Sequence, residues 1–260
     1  MTSATATDSV VLFERRGRVG LITLNRPDRL NAWSGAMGDG VREAIGECND
    51  DAGIGAIVIT GAGRGFCAGA DLRPDPNAPP RARRGAEEPY SIFLQRSKPV
   101  IAAINGPAIG VGLTLPLACD VRIASERARL SMRFVRIGLT PELGSTYHLP
   151  QIAGLGFAAE LILTGRIIDA AEALRMGVVN RVVPHDELVE TALALGEEIA
   201  FNPEEQVRWA KRLLYANAAN DNVFSVLDAE DQIFGEARRS AAFAEAGRAF
   251  AEKREPNFHG

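Results

Sequence analysis

The sequence predicts an α/β domain with a mostly parallel sheet and a helical C-terminal region. Three observations carry this. Residues 54–60 (IGAIVIT) form a continuous apolar run, as suits a strand buried on both faces, and 98–104 (KPVIAAI) and 119–125 (CDVRIAS) follow as a second and third strand. Stretches with apolar residues at helical spacing alternate with these runs. Four helical patterns, starting near Asp186, Pro203, Asn222 and Ser240, then close the chain.

Taken in order, residues 10–25 hold two β-rich runs around Arg16-Gly17 and read as a hairpin, ended by Pro27. A helix is predicted over residues 34–49, with Ser34 as N-cap and Met37, Val41, Ala44, Ile45 and Cys48 on one face. The strand at 54–60 runs into a glycine-rich stretch. Residues 73–89, rich in Pro, Arg and Ala with almost no large apolar side chains, cannot pack a core and read as a mobile surface insertion. The strand at 98–104 runs into a second glycine-rich turn and a helical run, LTLPLAC. Residues 128–132 read as a short fourth strand, 154–164 as a helix and 176–184 as a last strand. In Asn202-Pro203-Glu204-Glu205, an N-cap, a proline at the first helical position and two first-turn acids predict a helix start.

A chain of 260 residues with 46% hydrophobic and 24% charged residues is ordinary for one large globular domain. No apolar run reaches the ~18 residues of a membrane helix. The first nine residues read as a flexible tail, not a secretory signal, and a cytoplasmic location is expected. A net charge of -4 does not favour nucleic acid, and the short Arg81–Arg84 cluster is followed at once by Glu87 and Glu88. Three scattered cysteines fit free thiols in a reducing compartment, and three distant histidines predict no metal site.

The most informative feature is a duplicated context. Two buried strands each run into a glycine-rich turn, residues 61–71 (GAGRGFCAGAD) and 105–112 (NGPAIGVG). Glycine lets backbone approach a ligand closely, and free backbone N–H groups there can face an anion. The dinucleotide fingerprint fails: the first turn has Phe66 where the third glycine belongs, and in the second Gly106 and Gly110 are four apart. No Gly-Lys-Ser/Thr is present for a phosphate loop. From the glycines alone, plain tight turns and ligand-binding turns remain equally open.

FCAGADL, PVIAAINGPAIGVG and ACDVRIAS, in that order, resemble the crotonase superfamily, the enoyl-CoA hydratases and isomerases. NRPDRLNA near Asn25, RIGLTPELGSTYHLP, GRIIDAAEALRMGVVNRVVP and the terminal FAEKREPNFHG extend the resemblance over nearly the whole chain. It implies a spiral of repeated ββα units over residues 10–200 and a helical trimerisation region over 201–260, giving a homotrimer or a hexamer. It also implies an acyl-CoA substrate whose thioester oxygen meets two backbone N–H groups, here those of Ala70 and Val111. Coenzyme A would be part of the substrate, with no separate cofactor. Ala68, Asp71 and Leu72 resemble the stretch lining adenine and pantetheine, and Arg29 the cation near the phosphates. Phe250 and Lys253 resemble residues that reach the ligand from a neighbouring subunit. Read as residues only, Arg29 and Lys253 are equally surface charges and Phe250 equally a packing residue.

The family's hydratases use two glutamates on one water. The matching positions here are Thr114 and Phe134, and neither serves as an acid or base near neutral pH. Glu142 stands where the family's isomerases keep a single catalytic carboxylate, expected to be buried in an apolar acyl pocket. The resemblance therefore implies isomerisation of a 3-enoyl-CoA to a 2-enoyl-CoA, one base moving one proton. A hydratase with an atypical site, another enolate reaction and a CoA-binding protein without turnover are the alternatives. Without the resemblance, Glu142 is as readily a helix cap or a partner of Arg133 or Arg136. Asp71 and Asp120 read as structural, and Tyr147 and His148 as pocket or subunit contacts.

Overall fold

The computed structural model describes residues 9–73 and 88–259. Nearly all of the expected tail, and residues 74–87 of the expected insertion, lie outside the described residues. The hairpin forms as predicted: β1 (Val11–Arg16) pairs antiparallel with β2 (Val19–Leu24) across Gly17, which has φ +58°. A single turn, Pro27–Arg29, leads to α1 (Gly35–Asp50), whose N-cap Ser34 accepts a hydrogen bond from the Met37 N–H. The five predicted apolar residues of α1 are its buried ones.

Next come β3 (Ala56–Gly61), α2 (Tyr90–Arg96), β4 (Val100–Ile104), β5 (Pro107–Ile109), α3 (Val111–Leu117), β6 (Val121–Ser125) and β7 (Arg129–Ser131). They are followed by α4 (Ser145–Thr164), β8 (Ile168–Asp169), α5 (Ala170–Arg175) and β9 (Arg181–Val183). The closing helices are α6 (Leu188–Phe201), α7 (Glu204–Asn217), α8 (Val223–Ala237) and α9 (Ala241–Glu252). No helix among the described residues is long and apolar enough to cross a membrane.

The main sheet has the order β1-β2-β3-β4-β6-β9 and is parallel after the first hairpin. A smaller sheet has the order β5-β7-β8. From β4 to β7 the chain lays one strand in each sheet in turn, so it winds as a spiral of strand, strand and helix. Alternation along the parallel strands explains their continuous apolar runs. Ile57, Ile59, Val100, Ala102 and Ile104 join the core under α1 and α3, whereas Val58, Ile101, Ala103 and Ile123 pack against Leu188, Ala192 and Leu193 of α6.

Four sequence expectations need correction. The last strand, expected over 176–184, is confined to Arg181–Val183 and follows a turn in which Gly177 has φ 76°. The helix expected at 154–164 begins at Ser145, and Gly154, at φ 78°, kinks it in the middle. Asn202 does not cap α7. Its side-chain amide donates to the Glu198 and Ile199 carbonyls, closing the end of α6, and Pro203 is the N-cap position of α7. Four short elements, α2, β5, β8 and α5, were not expected. Pieces of two to seven residues hold too little periodicity to be read without their partners.

A buried ionic cluster ties α7 to the sheet. Lys211 Nζ donates to the Asp120 carboxylate (2.7 Å) and to the carbonyls of Leu94 (2.8 Å) and Lys98 (3.3 Å). The same carboxylate accepts from the Val100 N–H and the Tyr215 hydroxyl, so Asp120 is structural as expected. Burial, and then the nearby Asp120 charge, push the Tyr215 hydroxyl pKa up, which keeps it a donor. Lys211→Met removes one charge of a pair whose side chains are 7% and 16% exposed. We expect it to lower unfolding free energy by about 3 kcal/mol in a denaturant titration. A midpoint equal to that of the parent chain would show that the pair contributes nothing.

Candidate active site

The two glycine-rich turns lie against each other. Cys67 N–H donates to Pro107 O (2.9 Å) and Ile109 N–H to Cys67 O (3.0 Å), so the first turn adds a one-residue bridge beside β5. Asn105, buried, accepts from the Gly61 N–H and donates to Gly63 O and Gly65 O. Two glycines make this approach possible. A Cβ at Gly106 would overlap the Arg64 carbonyl, and one at Gly112 the Cys67 carbonyl.

This packing leaves two backbone donors free. Trp33 N–H donates to Gly69 O (2.8 Å) and Asp71 N–H to Trp33 O (2.9 Å), so the bonds of this bridge come from the neighbours of Ala70. Gly69, at φ +108°, turns the chain so that Ala70 is exposed. Val111 is the first residue of α3, where a helical N–H has no partner in its own helix. Among the described residues neither the Ala70 nor the Val111 N–H has an acceptor. Two N–H groups on touching turns suit a developing oxyanion.

The two positions that match the hydratase acids carry no acid. Thr114, one turn into α3, is fully buried, and its hydroxyl donates to Val111 O at 3.3 Å. Phe134 sits in the single turn Arg133–Ile137, and a methyl on Gly110 would lie 3.8 Å from its ring. These four predicted residues, Ala70, Val111, Thr114 and Phe134, are thus gathered by the two turns and what packs on them.

Glu142 lies on the loop leaving the Phe134 turn, which is closed by Leu139 N–H donating to Phe134 O. The expected burial is not found: Glu142 is exposed. A single chain supplies no apolar cover there. The structural alternatives fail as well. Helix α4 starts at Ser145 with Gly144 as N-cap, and Arg136 donates to Thr164 O instead of to Glu142. Among the described residues the Glu142 carboxylate has no hydrogen bond or ion pair. Its backbone is fixed nonetheless: its carbonyl accepts from the Ser145 N–H (3.1 Å) and hydroxyl (2.7 Å). The next residue, Leu143, is left-handed at φ 55°, a strained conformation for a leucine.

A feature that sequence reasoning missed lies between these parts. Trp33, beside Ala70, meets Tyr90 edge-on, and Tyr90 meets Phe93. The Tyr90 hydroxyl donates to Gly38 O, and the Arg42 guanidinium lies over both the Tyr90 and Phe93 rings. This anchors α2 on α1. The Ser91 hydroxyl and His148 Nε2 then approach Gly144, each 3.4 Å from where a Cβ would be. Burial holds the His148 pKa below its ordinary value, favouring the neutral ring. The i, i+3 spacing of Tyr90 and Phe93 was the available signal.

The remaining predicted positions are mixed. Ala68 N–H donates to Leu30 O, and the Asp71 carboxylate pairs with Arg26 at 2.8 Å, so Asp71 does fix the turn. Leu72 and Arg29 are exposed, and Arg29 has no ion pair among the described residues. Phe250, 88% exposed, and Lys253, the left-handed cap of α9, are not brought to Ala70 within one chain. Contacts of that end run to the α6–α7 junction, where Phe258 meets Phe201 and Gln206 bonds to Ser240. Two cavities, of about 160 and 430 Å³, border Lys98 with Arg208 and Pro203 with Ser240, and neither holds a predicted site residue. Cys67 is no nucleophile, since burial pushes its thiol up to about 11; Cys48 and Cys119 are pushed up to about 12 by the same cause.

Known proteins share this arrangement of chain. A short-chain-enoyl-CoA hydratase of Clostridium acetobutylicum is 36% identical over 249 residues, covering 94% of this chain and 95% of that protein. A 1,2-epoxyphenylacetyl-CoA isomerase of Escherichia coli K12 is 38% identical over 248 residues, covering 92% and 94%. The crystal structure of an enoyl-CoA hydratase from Bacillus anthracis superposes with a TM-score of 0.86 at 34% identity, over 96% of this chain and 99% of that one. The sequence model of the enoyl-CoA hydratase/isomerase family matches residues 14–260. With that match across both sheets and the closing helices, the chain belongs to the enoyl-CoA hydratase/isomerase family, within the crotonase superfamily.

Proposed function

We propose that this protein isomerises a 3-enoyl-CoA to a 2-enoyl-CoA, with Glu142 as its one acid/base. The observation that carries this is a Glu142 carboxylate with no hydrogen bond or ion pair among the described residues, on the loop that leaves the Phe134 turn, while Thr114 and Phe134 hold the two positions of the hydratase acids. Glu142 takes a proton from C2 of the substrate. The dienolate oxygen is held by the N–H groups of Ala70 and Val111, and Glu142 returns the proton at C4. Coenzyme A enters as part of the substrate, and no separate cofactor takes part.

The relatives reported above are named a hydratase and an isomerase of an epoxide thioester, neither of them a 3-enoyl-CoA isomerase, so the reaction has to be separated by assay. The assay that separates them follows the absorbance of the conjugated thioester. Under the isomerase reading it rises with a 3-enoyl-CoA, while crotonyl-CoA in water loses it slowly or not at all. Fast hydration of crotonyl-CoA with no conversion of the 3-enoyl substrate would overturn the proposal in favour of an atypical hydratase. Binding of coenzyme A without turnover of either would leave a binding protein.

We also infer association into a homotrimer, or a pair of trimers, through the closing helices. Ile233 is the one buried residue of α8 and Ala249 that of α9, while Phe224, Leu227, Phe234 and Phe243 are exposed. Apolar area of this kind is what a subunit contact covers. Light scattering should give three or six times the chain mass, and a monomer mass would refute the inference.

A further inference from the structure

The Ala70 N–H has no acceptor among the described residues, and one arginine ties the residue after it to the segment that faces it. Arg26 Nη1 donates to Ala32 O at 2.6 Å, just before Trp33. Its Nη2 donates to the Asp71 carboxylate at 2.8 Å, just after Ala70. The guanidinium therefore grips both strands of the Trp33–Ala70 bridge. The two side chains are largely covered, 22% and 17% exposed. Arg26 is itself held in place: its N–H donates to Asn31 Oδ1 at 2.7 Å. Asn31 is fully buried and left-handed at φ 56°, and its amide donates to Ala62 O and Gly65 O in the same glycine-rich turn.

We propose that Arg26, acting through Asp71 and Ala32, is a positioning residue that sets the direction of the Ala70 N–H. This rests on the reading of Ala70 and Val111 as the oxyanion donors. A covered ion pair adds little net stability compared with apolar packing, but its geometry is specific. A planar fork with donors on separate nitrogens pins two strands at once, which a lysine ammonium reproduces only in part. The aim of the donor matters because stabilisation of an oxyanion depends on where the N–H points, and an error of about 1 Å in placement costs up to about 100-fold. A purely structural Arg26 would change stability and leave the ionisation of a bound ligand unchanged.

The experiment uses acetoacetyl-CoA at saturation, so that altered affinity is factored out. Its enolate absorbs in the near ultraviolet where the keto form does not, and the ratio of the two reports the donors directly. Arg26→Gln is expected to lower the bound enolate-to-keto ratio about tenfold or more. Asp71→Ala should do the same, and the double variant should be no worse than either single one. Arg26→Lys should recover part of the loss. Should Arg26→Gln fail to fold, Asp71→Ala and Arg26→Lys test the pair from its other side. Single variants that enolise the ligand as the parent protein does would overturn the role of Arg26 and leave the oxyanion donors standing. A parent protein that enolises none of the bound ligand would overturn both.

Discussion

Glu142→Gln is expected to lower the rate of 3-enoyl-CoA isomerisation by about 10²- to 10⁴-fold, the range over which a positioned acid/base acts. Glutamine keeps the length of the side chain and its hydrogen-bonding capacity but cannot carry a proton from C2 to C4. The carboxylate has no partner among the described residues, so its replacement leaves no buried group unsatisfied, and the melting temperature should stay that of the parent protein. On the proposed reading residual acceleration should persist, because the Ala70 and Val111 N–H groups would still stabilise the dienolate. The measurement is kcat for both proteins with one 3-enoyl-CoA, beside coenzyme A affinity by calorimetry. Equal kcat values would remove Glu142 from the chemistry. A fall in affinity with kcat unchanged would make it a binding residue instead.

Gly112→Ala should be the most damaging single methyl in the site. A Cβ there would overlap the Cys67 carbonyl oxygen and crowd the Cys67 carbonyl carbon, at 2.8 Å. Those are backbone atoms, and they cannot rotate away as a side-chain tip would. The two turns must separate, and the Val111 N–H moves with them. Overpacking of this kind typically costs about 1–3 kcal/mol of stability, and donor displacement of about 1 Å about 100-fold in rate. Denaturant midpoint and kcat should therefore fall together. Gly46→Ala is the control, since no atom lies within 4 Å of a Cβ built there. Parent-like activity in Gly112→Ala would mean that the close contact of the turns has no bearing on catalysis.

Much of the main sheet was legible because its strands other than β9 have five or six residues, long enough to show a pattern of their own. The hairpin around Gly17, the Ser34 cap with five apolar residues on one face of α1, and the fully buried β3 and β4 are local patterns. The smaller sheet was legible only at β7, expected over 128–132. Its strands have two or three residues, and they exist because β5 finds β7 and Cys67 finds Ala108 across long stretches of chain. Helix α2 likewise depends on Trp33 and Arg42 meeting Tyr90 and Phe93. At Asn202, an N-cap residue type faced two helix ends at once, and its amide went to the carbonyls of the first.

The site divides along the same line. Residue types show that positions 114 and 134 carry a hydroxyl and a phenyl ring and position 142 a carboxyl, and the resemblance to the family singled those positions out. The Ala70 and Val111 N–H groups were named from the resemblance, but that both lack an acceptor among the described residues was decided only in three dimensions, since it depends on what every neighbouring amide bonds to. The exposure of Glu142 and the Arg26–Asp71 clamp also emerge only there. Composition and spacing determine what chemistry a side chain can perform, because that is covalent. Burial, aim and partnership depend on residues tens of positions away, and packing alone brings those together.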